Sequence, residues 1–87
     1  MKEVIVESLS SPGCHNCKLF EEFWHSIEKD YPNIVYKNKN LLDKEGMEMT
    51  MKYQILASPG IVINGELFSV GGVDKDKFIQ KIKELSV

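Results

Sequence analysis

Arginine is absent from this sequence of 87 residues, and the net charge is only −2 at pH 7. Without guanidinium groups the chain lacks arginine-based bidentate recognition of phosphate, and it shows no basic excess of the kind that nucleic-acid-binding proteins carry. No apolar run approaches the ~18–20 residues that span a bilayer, and residues 1–7 hold too short an apolar stretch for a signal peptide. These absences predict a cytoplasmic protein that binds neither nucleic acid nor a membrane.

Cysteine is nearly as scarce, with only Cys14 and Cys17 in the chain. Two cysteines cannot form the disulfide network that holds a small secreted scaffold together, so a hydrophobic core must do so. The composition, 43% apolar and 28% charged, supplies such a core. We therefore expect residues 1–87 to form a single domain and, since no oligomerisation signal is visible, a monomer. The short spacing between the two cysteines needs a chemical explanation.

The apolar pattern of the first half predicts two strands joined by a helix. A β-rich run at residues 4–9 predicts a buried strand that ends at a Ser-Ser-Pro-Gly loop. An amphipathic helix follows, and the apolar residues that recur in it at three- and four-residue spacing are Leu19, Phe20, Phe23, Trp24 and Ile27. It should end before Pro32, and a second strand is predicted at residues 34–36. Residues 37–40, Lys-Asn-Lys-Asn, are expected to form a polar connection.

The second half predicts a helix, a hairpin and a final helix. The first of these helices lies between residues 42 and 53, and Gly46 weakens its first half. Apolar residues recur here at four-residue spacing, at Met47, Met51 and Ile55. A hairpin is predicted around Asn64-Gly65, because both residues tolerate positive φ. Asp74 can cap the last helix, whose inner face carries Phe78, Ile79, Ile82 and Leu85.

The order of elements is strand, helix, strand, helix, strand, strand, helix, which is an α/β pattern. The first two strands should be parallel because a helix joins them, and the last two antiparallel because a tight turn joins them. A four-stranded mixed sheet flanked by three helices, on both of its faces, accommodates every element. The first strand is expected at a central position, because both of its faces are apolar apart from Glu7.

The two cysteines stand where the loop after the first strand becomes a helix, in the motif Cys14-His15-Asn16-Cys17. In the first helical turn this spacing brings two sulfurs close enough to bridge. The helix dipole and free N–H groups favour a thiolate, and cysteines in such positions have pKa values lowered to about 3.5–7.5. Cys14 is therefore predicted to attack a substrate disulfide. The more shielded Cys17 is predicted to resolve the mixed disulfide that results.

Other interpretations of the cysteine pair remain open on the sequence alone. A zinc site needs four ligands, and a covalent haem site needs a histidine where Lys18 stands. A soft metal or metalloid ion, by contrast, can be held and delivered by two thiolates. A protonated His15 would favour the Cys14 thiolate, whereas a solvated one on the rim of the site would do little. A scaffold protein with inactive cysteines is the third alternative.

Three separated segments resemble the thioredoxin-like superfamily, over nearly the whole chain. They are residues 11–18 around the cysteines, residues 53–59 (Tyr-Gln-Ile-Leu-Ala-Ser-Pro) and residues 71–74 (Gly-Gly-Val-Asp). The chain is similar in size to the glutaredoxins, and residues 60–67 look like the small thioredoxin-like proteins of archaea and bacteria. The resemblance implies a thioredoxin-like fold with the order βαβαββα.

The resemblance also assigns residues to a substrate site. It implies that Ser58-Pro59 is a cis peptide beside Cys14, and that the backbone there pairs with an extended substrate strand. Gly71-Gly72 and Asp74 resemble the glutaredoxin segment that binds the γ-glutamyl end of glutathione. The same residues also suit a plain turn and a helix cap.

Near the cysteines the sequence departs from the superfamily pattern. Gly13 stands where thioredoxins carry a tryptophan, and with His15 it is expected to line the substrate site. Ser8 falls where thioredoxins have a buried acid that assists deprotonation of the second cysteine. Glu7 is adjacent, but alternation along the strand points it to the opposite face. Water is therefore expected to take the Cys17 proton.

Together these features predict a small thiol–disulfide oxidoreductase that reduces protein disulfides through Cys14 and Cys17. The implied partners are disulfide-containing proteins and an electron donor, either a flavoprotein similar to thioredoxin reductase or glutathione. No tightly bound cofactor is expected, and glutathione would act as a co-substrate. Delivery of a soft metal or metalloid ion by the same two thiolates is the alternative function.

Overall fold

The computed structural model describes residues 1–87 and contains the four strands and three helices that the sequence predicts. The strands are β1 (Val4–Ser10), β2 (Ile34–Asn40), β3 (Gly60–Ile63) and β4 (Glu66–Val70). The helices are α1 (His15–Ile27), α2 (Lys44–Tyr53) and α3 (Lys75–Ser86), and a single 3-10 turn, Glu28–Asp30, follows α1. None of the helices combines the length and the apolarity that crossing a membrane requires.

The sheet is mixed, with the strand order β2-β1-β3-β4. Strand β1 pairs with β2 in parallel and with β3 antiparallel, and β4 pairs antiparallel with β3. The predicted central position of β1 is confirmed. Asn64 and Gly65 join β3 to β4 with positive φ angles of 49° and 80°, which is the backbone conformation of a tight hairpin turn.

Helices cover both faces of this sheet, and the two faces have separate cores. On one face, α1 and α3 pack on the strands around Phe20, Trp24 and Phe78. On the other face, α2 contributes Met49, which packs with residues of β1 and β3. The face that holds α1 is the more aromatic, and Phe78 contacts Phe20 edge-on with ring centroids 5.3 Å apart. Burial of this aromatic cluster fixes α1, and with it the two cysteines at its start.

Strand β2 continues through residues 37–40, so the prediction of a polar connection there is wrong. Its parallel register with β1 runs on to the pair Ser10 and Asn40. An edge strand tolerates polar side chains, because each can reach a partner or solvent on its own face. Lys39 Nζ lies 3.4 Å from Glu7 Oε2 and 2.8 Å from Glu45 Oε2. The hydrogen bond to Glu45 raises the pKa of Lys39.

The predicted helix α2 is confirmed, but the methionines at four-residue spacing do not form its buried face. Met47 and Met51 are 51% and 81% exposed, whereas Gly46 and Met49 are buried. The helix ends at Tyr53 and the next residue is left-handed, so Ile55 is buried from the following loop rather than from the helix. Met47 and Met51 thus share the solvent-facing side of α2, and their four-residue spacing does not mark the core.

Gly46 is needed where it stands, because α2 passes directly over the end of β2. A Cβ atom at this position would overlap the carbonyl oxygen of Asn40 and lie 3.1 Å from the Leu41 Cα. We expect Gly46→Ala to destabilise the protein by about 1–3 kcal/mol, although alanine favours helices over glycine by about 1 kcal/mol. The measurement is the free energy of unfolding in urea.

Met47→Ala is the matched control for Gly46→Ala, since it changes the exposed side of the same helical turn. It should alter the free energy of unfolding by no more than about 0.5 kcal/mol. A Gly46→Ala variant as stable as the unmodified protein would show that α2 does not need this close approach.

The Glu21 carboxylate on α1 contacts three polar side chains. The Tyr36 hydroxyl and the Asn38 amide both donate to Glu21 Oε1, the amide at 2.6 Å, and His25 Nε2 lies 3.2 Å from Glu21 Oε2. Burial, with the hydrogen bond to Glu21 second, raises the pKa of Tyr36 well above its ordinary value. The Tyr36 and Asn38 contacts bind α1 to the edge strand β2.

The raised pKa of Tyr36 predicts a loss of stability in alkaline solution. Above pH ~10 the unfolded chain releases the phenol proton while the folded protein keeps it. The folded state then binds more protons, so the free energy of unfolding falls as pH rises, by up to about 1.4 kcal/mol per pH unit. Tyr36→Phe should remove this part of the slope when unfolding is measured from neutral to alkaline pH. Identical slopes in the two proteins would contradict the assignment.

Candidate active site

The loop from β1 to α1 is a tight turn that delivers Cys14 to the start of the helix. The Cys14 N–H donates to the Ser11 carbonyl at 3.3 Å, Pro12 is the second residue of the turn, and Gly13 is the third, with a φ of 73°. Proline followed by a residue of positive φ is the pattern of a type II turn. Nothing lies within 4 Å of where a Gly13 side chain would begin, so glycine is required here by the backbone conformation rather than by crowding.

Cys14 and Cys17 are joined as a disulfide, with their Cα atoms 5.3 Å apart. Cys14 is the N-cap of α1, and its Sγ accepts the Cys17 backbone N–H at 3.1 Å. Cys14 is half-buried, whereas Cys17 is only 5% exposed. The predicted asymmetry is therefore confirmed in its geometry: one sulfur faces the rim, and the other lies inside the first helical turn.

The loop before β3 lies directly against Cys14. The Ser58–Pro59 peptide is cis, as the resemblance implied, and Pro59 is buried. The Ser58 hydroxyl lies 3.4 Å from Cys14 Sγ and 2.7 Å from the Ser11 hydroxyl. Two loops that are far apart in the chain thus meet beside Cys14 Sγ.

A third loop, between β4 and α3, is tied to the second. The Gly71 N–H donates to the Pro59 carbonyl at 3.0 Å. Asp74 is the N-cap of α3, and its Oδ1 accepts the Lys77 N–H at 3.1 Å. The predicted helix cap is confirmed, and one carboxylate oxygen of Asp74 is already occupied by it. Binding of glutathione by Gly71, Gly72 and Asp74 stays a prediction.

The other residues singled out around the cysteines divide into exposed and buried ones. His15 is exposed and forms no hydrogen bond or ion pair, and Lys18 is exposed as well. Ser8 is only 1% exposed, and its hydroxyl has no hydrogen-bond partner. Glu7 lies on the opposite face of the sheet, as predicted, with Lys39. No carboxylate therefore takes the place of the buried acid that thioredoxins carry.

Two features of the site were not found in the sequence. One is the hydroxyl of Ser11, which sequence reasoning treated only as part of the loop. The Ser-Pro-Gly-Cys turn signal could have placed it beside Cys14, but not beside Ser58. The other is a groove of about 240 Å³ between α1 and the loop before α3, lined by residues that include Leu19, Phe23 and Lys75.

The site holds the two cysteine sulfurs and few other candidate ligands. No group of three or more His, Cys, Asp or Glu side chains lies close enough together to hold a metal ion. The two sulfurs, by contrast, are placed to form and break a bond with each other. A cysteine pair at a helix N-terminus beside a cis-proline loop, on a four-stranded α/β sheet, defines a thioredoxin-like thiol–disulfide site.

Comparison with known proteins supports the same class. The chain matches the thioredoxin domain family over residues 2–84, and it belongs to that family. It is 29% identical over 84 residues to a thioredoxin of Methanocaldococcus jannaschii, covering 97% of this chain and 98% of the relative. Family, fold and cysteine pair together support a thiol–disulfide oxidoreductase.

Solved structures share the fold at low identity. Spinach chloroplast thioredoxin f, in its short form, superposes with a TM-score of 0.79 at 16% identity, over 99% of this chain and 79% of that one. A structure described as a complex of ferredoxin:thioredoxin reductase with thioredoxin f2 gives a TM-score of 0.76 at 12% identity, over 99% and 80% of the two chains. At these identities the likeness shows the fold alone.

Proposed function

We propose that this protein reduces disulfides of other proteins through a mixed disulfide on Cys14. The observation that carries the proposal is the unequal exposure of the cysteine pair at the N-terminus of α1. Cys14 can be reached by a partner's sulfur, and the helix N-terminus favours its thiolate. Cys17 is shielded from partners, yet it lies within bonding reach of Cys14.

The proposed reaction transfers two electrons in two exchange steps. The Cys14 thiolate attacks one sulfur of the substrate disulfide, the substrate S–S bond breaks, and the other substrate sulfur leaves as a thiolate. Cys17 then loses its proton and attacks Cys14 Sγ, which releases the second substrate sulfur. The substrate gains two electrons, and the protein is left with its Cys14–Cys17 disulfide. With a serine at position 8, the Cys17 proton passes to water.

The cis-proline loop suits a substrate in an extended conformation. The backbone N–H and carbonyl of Ser58 make no hydrogen bond within the protein, although the residue is next to Cys14. A substrate strand could pair with these groups while its cysteine reaches Cys14, as in strand addition to a sheet edge. Ser58 and Pro59, with Gly13 and His15 at the rim, are the residues proposed to meet the substrate.

The electron donor is proposed to be a reductase protein. A structural neighbour is described in complex with ferredoxin:thioredoxin reductase, which supports a protein donor for this site. A flavoprotein similar to thioredoxin reductase would supply electrons in the same way. Glutathione is the second candidate, through Gly71, Gly72 and Asp74. Either donor belongs to a reducing compartment such as the cytoplasm.

Trapping tests the proposed function directly. The Cys17→Ser variant should accumulate a stable mixed disulfide on Cys14 when it is mixed with a protein that contains an accessible disulfide, because the resolving thiol is gone. The matched Cys14→Ser variant should trap nothing, since its remaining thiol is buried. Mass spectrometry of the adduct identifies the cysteine involved. Adducts on Cys17 in the Cys14→Ser variant, at the same yield, would refute the assignment of roles.

The soft-metal alternative makes a different prediction for the same protein. It requires the reduced chain to take up one soft cation, such as Cu(I), tightly through Cys14 and Cys17. The proposed reductase needs no such uptake. Titration of the reduced protein with Cu(I), beside the Cys14→Ser variant, separates the two functions, because tight uptake without disulfide reduction would favour delivery of a metal ion.

A further inference from the structure

Two serine hydroxyls from separate loops meet at the sulfur that faces the rim of the site. The Ser58 hydroxyl lies 3.4 Å from Cys14 Sγ, and the Ser11 hydroxyl lies 2.7 Å from that of Ser58. Both serines are half-buried, and neither hydroxyl forms a further hydrogen bond within the protein. The two hydroxyl oxygens and the sulfur therefore form a short series of hydrogen bonds that ends at the reacting sulfur.

Ionisation of Cys14 fixes which group donates and which accepts in this series of hydrogen bonds. A hydroxyl has one proton to donate, and a thiolate has none. When Cys14 is ionised, Ser58 must donate to it, so the Ser58 proton is used and Ser11 must donate to Ser58. We propose that Ser11 is a positioning residue that holds the Ser58 hydroxyl toward Cys14 and strengthens its bond to the thiolate. The proposal rests on the proposed role of Cys14 as the attacking thiolate.

Both serines are held in place by their backbones. Ser11 opens the turn in which its carbonyl accepts the Cys14 N–H, so Ser11 and Cys14 are fixed relative to each other. Ser58 precedes the buried cis-proline, whose carbonyl accepts the Gly71 N–H. A hydroxyl pair held in this way donates without reorganising when the thiolate forms, and a bond from Ser11 polarises the Ser58 hydroxyl.

Few charges compete with this hydrogen-bond chain. On α1 the titratable neighbours of Cys14 are the buried Cys17 and the exposed His15 and Lys18. The cis-proline loop, residues 55–60, and the loop at residues 71–73 carry no titratable side chain. Asp74 lies beyond the second of these loops and is engaged in capping α3. Neutral hydroxyls thus provide the side-chain donors at Cys14.

The test is the pH dependence of alkylation of Cys14 by iodoacetamide in the reduced protein, read peptide by peptide by mass spectrometry. Ser58→Ala should raise the apparent pKa of Cys14 by about one unit, and Ser11→Ala by about 0.3–0.5 units. Ser11→Thr, which keeps the hydroxyl, should restore the original value. In a double variant, Ser11→Ala should add nothing to Ser58→Ala, because Ser11 acts only through Ser58.

Controls separate the proposal from a structural role and from the proposed function. Ser10→Ala removes the neighbouring hydroxyl, which accepts from Asn38 rather than contacting Cys14, and should leave the Cys14 titration unchanged. If Ser11→Ala does not fold, Ser11→Thr against Ser11→Val gives the same comparison at equal size. The proposal would be overturned if Ser11→Ala left the apparent pKa of Cys14 unchanged. It would also be overturned if Ser11→Ala shifted this pKa equally in a protein that already carries Ser58→Ala. Since alkylation needs no partner protein, a failure in disulfide reduction with these shifts intact would count against the proposed function alone.

Discussion

Cys14→Ser lowers the rate of protein-disulfide reduction to the uncatalysed background, a loss expected to be on the order of 10³-fold or more. A serine hydroxyl at this position cannot form the mixed disulfide, and its pKa is far too high for an oxyanion to attack sulfur at neutral pH. The remaining thiol, on Cys17, is only 5% exposed and cannot replace it. The measurement is the steady-state reduction of a protein disulfide with a chemical dithiol as the electron source.

The matched variant Cys17→Ser should lose turnover by a different step. Its Cys14 still attacks, so one equivalent of mixed disulfide forms at a rate close to that of the unmodified protein, and the cycle then stops. Substantial multiple-turnover reduction by Cys14→Ser would mean that the chemistry does not depend on the exposed sulfur, and the proposed mechanism would fail.

Phe78→Ala is expected to have the largest effect on stability, about 3–5 kcal/mol. Phe78 is fully buried and contacts the aromatic rings of Phe20, Phe23, Trp24 and Phe68. Truncation removes buried apolar surface and leaves a cavity between α3 and α1 that the surrounding side chains cannot fill. For a domain of this size the loss corresponds to a fall in Tm of roughly 15–30 °C. Thermal and urea unfolding both report it.

Two substitutions bracket the Phe78→Ala result. Phe78→Leu keeps most of the volume and should cost much less than the alanine variant. Leu56→Ala, at a side chain 93% exposed, should change the free energy of unfolding by about 0.5 kcal/mol or less. If the free energy of unfolding of Phe78→Ala lies within about 1 kcal/mol of that of the unmodified protein, the aromatic cluster does not hold α1 in place.

Sequence patterns predicted the elements that pack around the aromatic core. The apolar faces of β1 predicted a central strand, the spacing of Phe20 and Trp24 predicted the buried face of α1, and both predictions are confirmed. The same reasoning failed for α2. There the buried face is built around Gly46, a residue that no hydrophobic pattern marks, and exposed methionines imitate a core stripe. Close backbone approach is a tertiary property and leaves only a glycine as its signal.

The second half of strand β2 was not predicted either, because its residues are polar. Residues 37–40 alternate lysine and asparagine, which reads as a loop when hydrophobicity is the only guide. In the structure each face has its own partner, with Lys39 beside Glu7 and Asn38 beside Glu21. Glu7 and Glu21 lie 32 and 17 positions away from these residues in the chain, so the sequence alone does not identify them as partners.

The candidate site was predictable in part. A Cys-x-x-Cys at a helix start has a local chemical meaning, and the pair is placed as that meaning requires. The cis bond at Pro59 came from the resemblance, because nothing in the residues themselves distinguishes it from an ordinary loop proline. The contact between Ser11 and Ser58 joins positions 47 residues apart, and it depends on a turn and a cis peptide together. That contact could be found only in three dimensions.

The central claim is that Cys14 is the attacking thiolate and Cys17 the shielded partner. The most direct measurement is competitive alkylation of the fully reduced protein by a small reagent at neutral pH, with the product at each cysteine quantified by mass spectrometry. Cys14 should be modified first and in large excess, since it is the accessible sulfur and caps the helix. Equal modification of the two cysteines, or preferential modification of Cys17, would contradict it.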